Sequence, residues 1–426
     1  MHKGAKKMKQ KIGVIGILLI IFFVLFSNSA LATEMPNLEI SAPSAILIDA
    51  NTGRVFYEKE ADTKRYPAST TKIMTALVVL ENVEDLQQVA TVSYDAVFSI
   101  PSGYATDLLK VGEELTIEEL LYALLVKSSN ESAVVLAEYV AGSVDSFASM
   151  MNTKAQELGC TNTHFVNPNG VHDENHYTTA RDLATIAREA MKNEQFRKFV
   201  ATASHTLPST NKYERTDRNL VTTNDLIRKS NASYYSYAIG IKTGFTTPAQ
   251  NCLVAGASKD GVDLIAVILK TGDEERYQDA KTLFNYVYDN FGMKEIVKQN
   301  DIVQEIEVKN ATKETKKLKL AAKDSIEALV TNDKLKELQQ GEVTLNEDIK
   351  APIAKGTVLG SIKYTVDGIE YKTDLVAEND VKPSYTVQII LGIVALIVVL
   401  YILNKMTMKK KRKKRKKKSK YVSTMR

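Results

Sequence analysis

A serine followed three residues later by a lysine, at Ser69-Thr70-Thr71-Lys72, puts a hydroxyl and an amine on one face of a helix, within reach of each other. Serine at its ordinary pKa is a poor nucleophile and needs a base beside it. A lysine can be that base only where burial or a second cation lowers its own pKa. Ser128-Ser129-Asn130 sets a hydroxyl and a carboxamide two residues apart, in a short connection between apolar runs, where both can point into a cleft. Lys242-Thr243-Gly244 ends the run Ile239-Gly240-Ile241. A cation, a hydroxyl and a bare glycine at a strand edge suit a substrate carboxylate with an extended backbone laid alongside.

Each of these signals recurs by chance. Ser209-Thr210-Asn211-Lys212 also satisfies the serine–lysine and serine–asparagine spacings, but it follows Pro208 in a polar stretch with no apolar helix behind it. Lys270-Thr271-Gly272 repeats the third triplet, followed by Asp273-Glu274-Glu275, which would repel an anionic substrate, so the first copy is preferred. His172 and His176 have the i, i+4 spacing of a metal pair, yet they follow the loop Asn167-Pro168-Asn169-Gly170 rather than lying on a helix; no metal and no cofactor is expected. Cys160 and Cys252, the only cysteines, are too few for a disulfide scaffold or an all-cysteine zinc site, and whether they pair is open.

The elements that must position these groups are legible in outline. Two β-rich runs, Ala45–Ile48 and Arg54–Tyr57, flank the turn sequence Asp49-Ala50-Asn51-Thr52-Gly53. After Pro67 the pattern predicts a helix over Ile73–Leu80, followed by helices over 117–126, 132–140, 144–158 and 179–191. Strands return at 238–242, 251–257 and 262–269, and an amphipathic helix over 276–291 closes this part. Strands at both ends of this stretch with helices between predict an α+β fold, one sheet assembled from both ends and flanked by helices. Past Gly292, short alternating runs at 303–308, 316–320, 358–364 and 370–376 predict a small all-β domain without histidine, cysteine or a convergent polar set, read as a spacer.

The 426 residues are 44% hydrophobic and 25% charged, a globular composition. The formal net charge of +5 is unevenly placed. Thirteen of the 56 Lys and Arg lie between Lys405 and Arg426 and five between Lys3 and Lys11, leaving residues 33–404 at −13. An acidic body excludes the nucleic-acid partner that a pI of 8.7 would suggest. At the N-terminus, basic residues, the apolar run Ile12–Phe26 and the small-x-small triplet Ala30-Leu31-Ala32 have the order of a secretory signal peptide, residues 1–32. Tyr385–Leu403 is an uncharged stretch of nineteen residues, about 28 Å as a helix, which predicts a transmembrane anchor. The polybasic tail, 404–426, would stay in the cytoplasm and pair with anionic membrane lipids, with the body, 33–384, on the extracytoplasmic face.

The order of the motifs is more specific than any one of them: Ser-x-x-Lys at a helix start, Ser-x-Asn beginning 59 residues later, and Lys-Thr-Gly beginning 112 residues after that motif's asparagine. Tyr66–Met74, Lys127–Ala133 and Gly240–Thr246, with Thr163–Gly170 and Thr179-Ala180-Arg181-Asp182, resemble the low-molecular-mass penicillin-binding proteins, nearest the serine D-alanyl-D-alanine carboxypeptidases. The resemblance spans nearly the whole chain. It implies a β-lactamase/transpeptidase-like domain (residues 33–292), the small β domain (293–384) and the anchor (385–403). It implies a peptidoglycan stem peptide ending in D-Ala-D-Ala as substrate and β-lactam antibiotics as acylating mimics. Ser69 would attack, Lys72 would be general base with its pKa depressed by Lys242, Ser128 would pass a proton to the leaving amine, and Asn130 would hold Lys72 and the substrate amide. Lys242 and Thr243 would bind the terminal carboxylate, Gly244 would admit the backbone, and the N–H groups of Ser69 and Phe245 would form the oxyanion hole; Arg276 is a further candidate carboxylate partner.

Two rivals are weighed. A class A β-lactamase shares the motifs but needs a Glu-x-x-Leu-Asn loop before Lys-Thr-Gly. Here that pattern occurs only at Glu342–Asn346, in the β domain. An inactive wall-binding scaffold would have no need of all five polar motif residues.

Overall fold

Asp49 builds the turn over residues 49–53 by using one side-chain oxygen three times. Its Oδ1 accepts from the backbone N–H of Asn51 (2.9 Å) and Thr52 (2.6 Å) and from the Thr52 hydroxyl (3.0 Å). The strands β1 (Ser44–Asp49) and β2 (Val55–Lys59) fold back on each other across it. The computed structural model describes residues 36–104, 108–215, 217–331 and 341–423; the expected signal segment, residues 1–32, lies outside them. The described chain divides into two compact units, the residues up to 258 with 263–286, and 259–262 with those from 287 onward.

All six residues of β1 are buried, which is why its sequence reads as a nearly continuous apolar run rather than an alternation. Two short hairpins follow along the chain, β3 (Val89–Thr91) with β4 (Glu114–Thr116) and β5 (Ser204–Thr206) with β6 (Asn219–Val221). Then come β7 (Ala238–Thr246), β8 (Gln250–Lys259) and β9 (Val262–Thr271). The main sheet is antiparallel in the order β2-β1-β9-β8-β7, so β1 slots beside β9 from the far end of the first unit and β7 forms an edge. The expected assembly of one sheet from both ends of this stretch is what forms.

Helices pack beside this sheet around one apolar core. The helix Lys72–Asn82 is buried from Lys72 to Val79, consistent with its almost wholly apolar sequence. Helices Ile117–Leu125, Asn130–Ala141, Val144–Glu157 and Ala180–Ala190 start at Thr116, Ser129, Ser143 and Thr179, whose side chains each accept a backbone N–H of the first turn. Thr179-Ala180-Arg181-Asp182 therefore belongs to the frame. Thr179 caps the helix, Asp182 Oδ2 accepts from Asn162 N and Thr163 Oγ1, and Arg181 pairs with Glu58 (2.6 Å) and Asp62 (2.8 Å).

Cys160 and Cys252 are both free and buried, contacting the carbonyls of Asp182 and Tyr66. Burial pushes the two thiols up to about 12 and about 11.

The second unit pairs β10 (Phe291–Val297) with β13 (Ile326–Thr331). It also builds a five-stranded antiparallel sheet in the order β11 (Ile302–Glu307), β12 (Lys317–Ala322), β16 (Ile369–Ala377), β15 (Val358–Val366) and β14 (Glu342–Leu345). Phe291 opens β10 instead of ending the preceding helix, which stops at Asn290. The helix Thr386–Ser423 ends the described chain, and its segment Gln388–Arg415 is long and apolar enough to cross a membrane by length and composition.

One glycine in the first unit is under particular constraint. Gly170 has φ +82°, and a Cβ there would sit 2.0 Å from the Ala68 carbonyl oxygen, one residue before Ser69. Gly170→Ala is expected to cost roughly 2–3 kcal/mol of stability. A lowered urea midpoint at unchanged m-value would show it, whereas an unchanged midpoint would mean the loop accommodates the methyl group.

Candidate active site

Ser69 lies in a 3-10 turn, Ala68–Thr71, that feeds into the buried helix starting at Lys72. The residue before the serine, Ala68, has φ +48°, and Ser128 has φ +65°; such conformations cost of order 1 kcal/mol each and persist where surrounding packing enforces them. The turn is wedged between two glycines. Gly170 faces the Ala68 carbonyl on one side, and on the other a Cβ on Gly244 of β7 would lie 3.0 Å from both Pro67 O and Ser69 N. Glycine in Lys242-Thr243-Gly244 is thus what allows the sheet edge to approach the serine's backbone N–H.

Lys72 is fully buried, with Nζ 3.0 Å from Ser69 Oγ, 2.6 Å from Asn130 Oδ1 and 2.6 Å from the Asn169 carbonyl. Two of these partners are acceptors only. A neutral amine gives its two hydrogens to them and keeps a lone pair for the Ser69 hydroxyl. Burial is the main force holding the Lys72 pKa well below its ordinary value, with Lys242 second and the nearby Glu131 carboxylate opposing both. The sequence reading credited Lys242 with the shift; burial contributes more. Lys72 also occupies the first residue of its helix, where the macrodipole disfavours a cation.

The middle residue of Ser128-Ser129-Asn130 has a different job from its neighbours. Ser129 caps the helix Asn130–Ala141, accepting from Ser132 N at 3.0 Å, and donates its hydroxyl to Glu131 Oε2 at 3.0 Å. That cap fixes the backbone so that Ser128 lines the cleft while Asn130 reaches Lys72. The Asn130 amide is oriented at both ends: Oδ1 takes the amine, and Nδ2 donates to the Tyr104 carbonyl at 2.5 Å, leaving a second N–H hydrogen.

The cleft, about 570 Å³, is lined by Ser69, Ser128, Thr243, Phe245, Asn251 and Arg276 among others. The β7 strand runs along it as a sheet edge, the arrangement to which an extended peptide can add a strand. Lys242 is buried, donates to the Thr243 carbonyl at 3.0 Å, and has its pKa lowered to about 7 by burial and by Arg276. Phe245 turns its ring to solvent, at 61% exposure, so its contribution to the cleft wall is chiefly backbone. The structure thus brings together Ser69, Lys72, Ser128, Asn130, Lys242, Thr243, Gly244, Phe245 and Arg276.

Sequence reasoning had held Asp273 against the second Lys-Thr-Gly copy as a repulsive charge. Asp273 instead lines the first copy's cleft, where Arg276 neutralises it at 2.6 Å, and Arg276 also donates to Asn251 at 3.1 Å. Thr223, 2.6 Å from the Thr243 hydroxyl, was missed, as were the Asn169 and Tyr104 carbonyls. The Asn167-Pro168-Asn169-Gly170 loop gave the signal for the former. Its Pro168 and Asn169 carbonyls receive Thr75 Oγ1 and Lys72 Nζ. His176 braces this region: its Nδ1 accepts from Val166 N at 3.1 Å, so Nε2–H donates to Thr71 Oγ1 at 2.8 Å, and burial pushes its pKa down to about 3.

A helix-flanked antiparallel sheet whose edge strand faces a serine beside a buried lysine is the architecture of the penicillin-recognising serine enzymes. Residues 29–272 match the D-alanyl-D-alanine carboxypeptidase family of S11 peptidases, and residues 291–383 match the penicillin-binding protein 5 C-terminal domain. The chain is 32% identical over 381 residues to D-alanyl-D-alanine carboxypeptidase DacF of Bacillus subtilis, covering 86% of this chain and 94% of that one. A crystal structure of a peptidoglycan synthesis regulatory factor, PBP3 of Streptococcus pneumoniae, superposes with TM-score 0.70 at 25% identity, covering 81% of this chain and all of that one. Penicillin-binding protein 5 of Haemophilus influenzae gives TM-score 0.63 at 27% identity, over 82% and 99% of the two chains. The chain belongs to the S11 family of D-alanyl-D-alanine carboxypeptidases.

The coupling between the two lysines can be read kinetically. Lys242 lowers the Lys72 pKa, so removing its charge should raise it. For Lys242→Gln, the acid limb of the pH profile for acylation by penicillin is expected to move to higher pH, apart from any loss of amplitude. An acid limb at the wild-type position would show that the two amines do not interact.

Proposed function

We propose that this chain is a serine D-Ala-D-Ala carboxypeptidase that removes the terminal D-Ala from peptidoglycan stem pentapeptides and is acylated by β-lactams. The observation that carries the reading is the buried Lys72 amine, 3.0 Å from Ser69 Oγ and bonded to two neutral oxygens, beside an open sheet edge.

The substrate's terminal carboxylate lies toward Lys242, Thr243 and Arg276, and its penultimate carbonyl is presented to Ser69. Lys72 takes the Ser69 proton as Oγ attacks, and the N–H groups of Ser69 and Phe245 hold the oxyanion, a contribution of about 3 kcal/mol per donor. The proton returns through Ser128 to the departing amine, free D-Ala leaves, and water then hydrolyses the acyl-enzyme by the same base. The β-lactamase alternative has no glutamate from a Glu-x-x-Leu-Asn loop to activate that water, because Glu342 lies in β14 of the second unit.

The proposed division of the chain is a secreted catalytic part to residue 292, a small β part to 384, an anchor over 385–403 and a cytoplasmic tail over 404–426. The positive-inside rule supports that orientation, since the basic residues follow the apolar stretch. A chain truncated after Ser384 should leave the membrane pellet and keep its penicillin binding; retention in the pellet would refute the anchor.

The full chain in detergent, given a peptide ending in Lys-D-Ala-D-Ala, is expected to release D-Ala until treated with benzylpenicillin. Ser69→Ala should lose both release and covalent labelling, and Lys72→Ala should lose acylation while folded. Rapid penicillin turnover without D-Ala release would make the enzyme a β-lactamase. Labelling that persists in Ser69→Ala would remove the serine from its role.

A further inference from the structure

A second cavity of about 250 Å³ lies just past the Thr246 end of β7, lined by Lys64, Arg65, Glu174, Tyr177, Pro248 and Lys270. Lys270 is the lysine of the second Lys-Thr-Gly triplet, which the catalytic cleft does not use. Three cationic side chains here face one carboxylate, in a protein whose body is otherwise acidic. Lys64 Nζ lies 4.1 Å from the Tyr177 ring centroid, and among the described residues neither Lys64 nor Lys270 has an ion-pair partner. Arg65 is the fixed member, its Nε donating to Ser44 Oγ at 2.9 Å.

The cavity's place follows from strand direction. In the proposed reading, on which this inference rests, the substrate carboxylate sits toward Lys242 and Thr243 and the reacting carbonyl sits by Phe245. A peptide added to that edge therefore runs antiparallel to β7, and its upstream part passes Thr246 toward the turn at Thr247–Ala249. β7 ends at Thr246, opposite Gln250, so at about 3.3–3.4 Å per residue the turn lies within one to two residues of extended substrate upstream of the one at Phe245. The same turn walls the cavity through Pro248 and Ala249. The segment Lys64–Tyr66 on the facing wall leads directly into the Pro67 turn that meets Gly244.

We propose that this cavity is a subsite for a free carboxylate carried by the stem peptide two residues before the one that acylates Ser69, with Lys64 and Lys270 as its binding charges. Both lysines are exposed and stand outside the catalytic contacts, so their loss leaves the bond-breaking machinery intact. A γ-linked D-glutamyl residue with its α-carboxylate free has the right position and charge, and the α-carboxamide form is its neutral isostere.

The test uses the full-length protein in detergent and three peptides: N-acetyl-Lys-D-Ala-D-Ala, and the same peptide extended by γ-D-glutamate or by its α-amide. The wild type should show kcat/KM about tenfold higher for the carboxylate than for the amide, through KM, and this ratio should shrink at raised ionic strength. Lys64→Ala/Lys270→Ala should bring the ratio close to one while leaving the short peptide and penicillin labelling at wild-type rates. Equal wild-type rates on the two extended peptides, or a preference that survives the double substitution, would overturn the subsite while leaving the carboxypeptidase standing. D-Ala release from none of the three peptides would overturn that reading and the subsite with it.

Discussion

Burying an amine away from any directly bonded carboxylate is costly in its charged form, and that cost is what chiefly holds the Lys72 pKa well below its ordinary value. Its three neighbours are neutral oxygens, two of which can only accept. Much of the first unit can be understood as what is needed to keep them there. The Asn169 carbonyl is delivered by a loop whose Asn167 Oδ1 accepts from Gly170 N at 2.7 Å and whose Pro168 carbonyl is tied to Thr75. The Asn130 amide is delivered by a helix that starts where Ser129 caps it. Remove the dry surroundings and the lysine becomes an ordinary ammonium, unable to take a proton from serine.

A related constraint governs the approach of the sheet. A serine nucleophile inside a turn can be served by backbone donors only if another strand comes within a side chain's width of it. Here β7 does so at Gly244, and the loop behind does so at Gly170. The edge position of β7 suits the proposed reaction: a row of backbone groups that would be a hazard elsewhere is there open to an extended peptide.

How much of this was readable in the sequence depends on whether chemistry or packing chose the residue. Ser69, Lys72, Asn130 and Lys242 stood out as candidates because few side-chain types can attack, accept a proton or anchor an anion, and local context set aside the chance copies; the structure gathers these four around one cleft. The main sheet was legible because β1, β8 and β9 are long apolar runs. The Asn169 and Tyr104 carbonyls were not legible as partners, since every residue has a carbonyl and only the fold selects which one points inward. Asp273 was misjudged for the same reason: three acidic residues in a row look alike until Arg276 claims one of them. The short strands β3 to β6 and β14 are three or four residues each and partly exposed, too brief for an alternating pattern to stand out.

The two sulfhydryls bear on how the protein is made. Cys160 and Cys252 lie apart within the core, each behaving as a small apolar filler whose thiolate is suppressed by burial. Neither waits for a cross-link to complete its surroundings. Maturation of this unit therefore calls on no oxidase or isomerase, and an oxidant reaching the folded chain meets no ready thiolate.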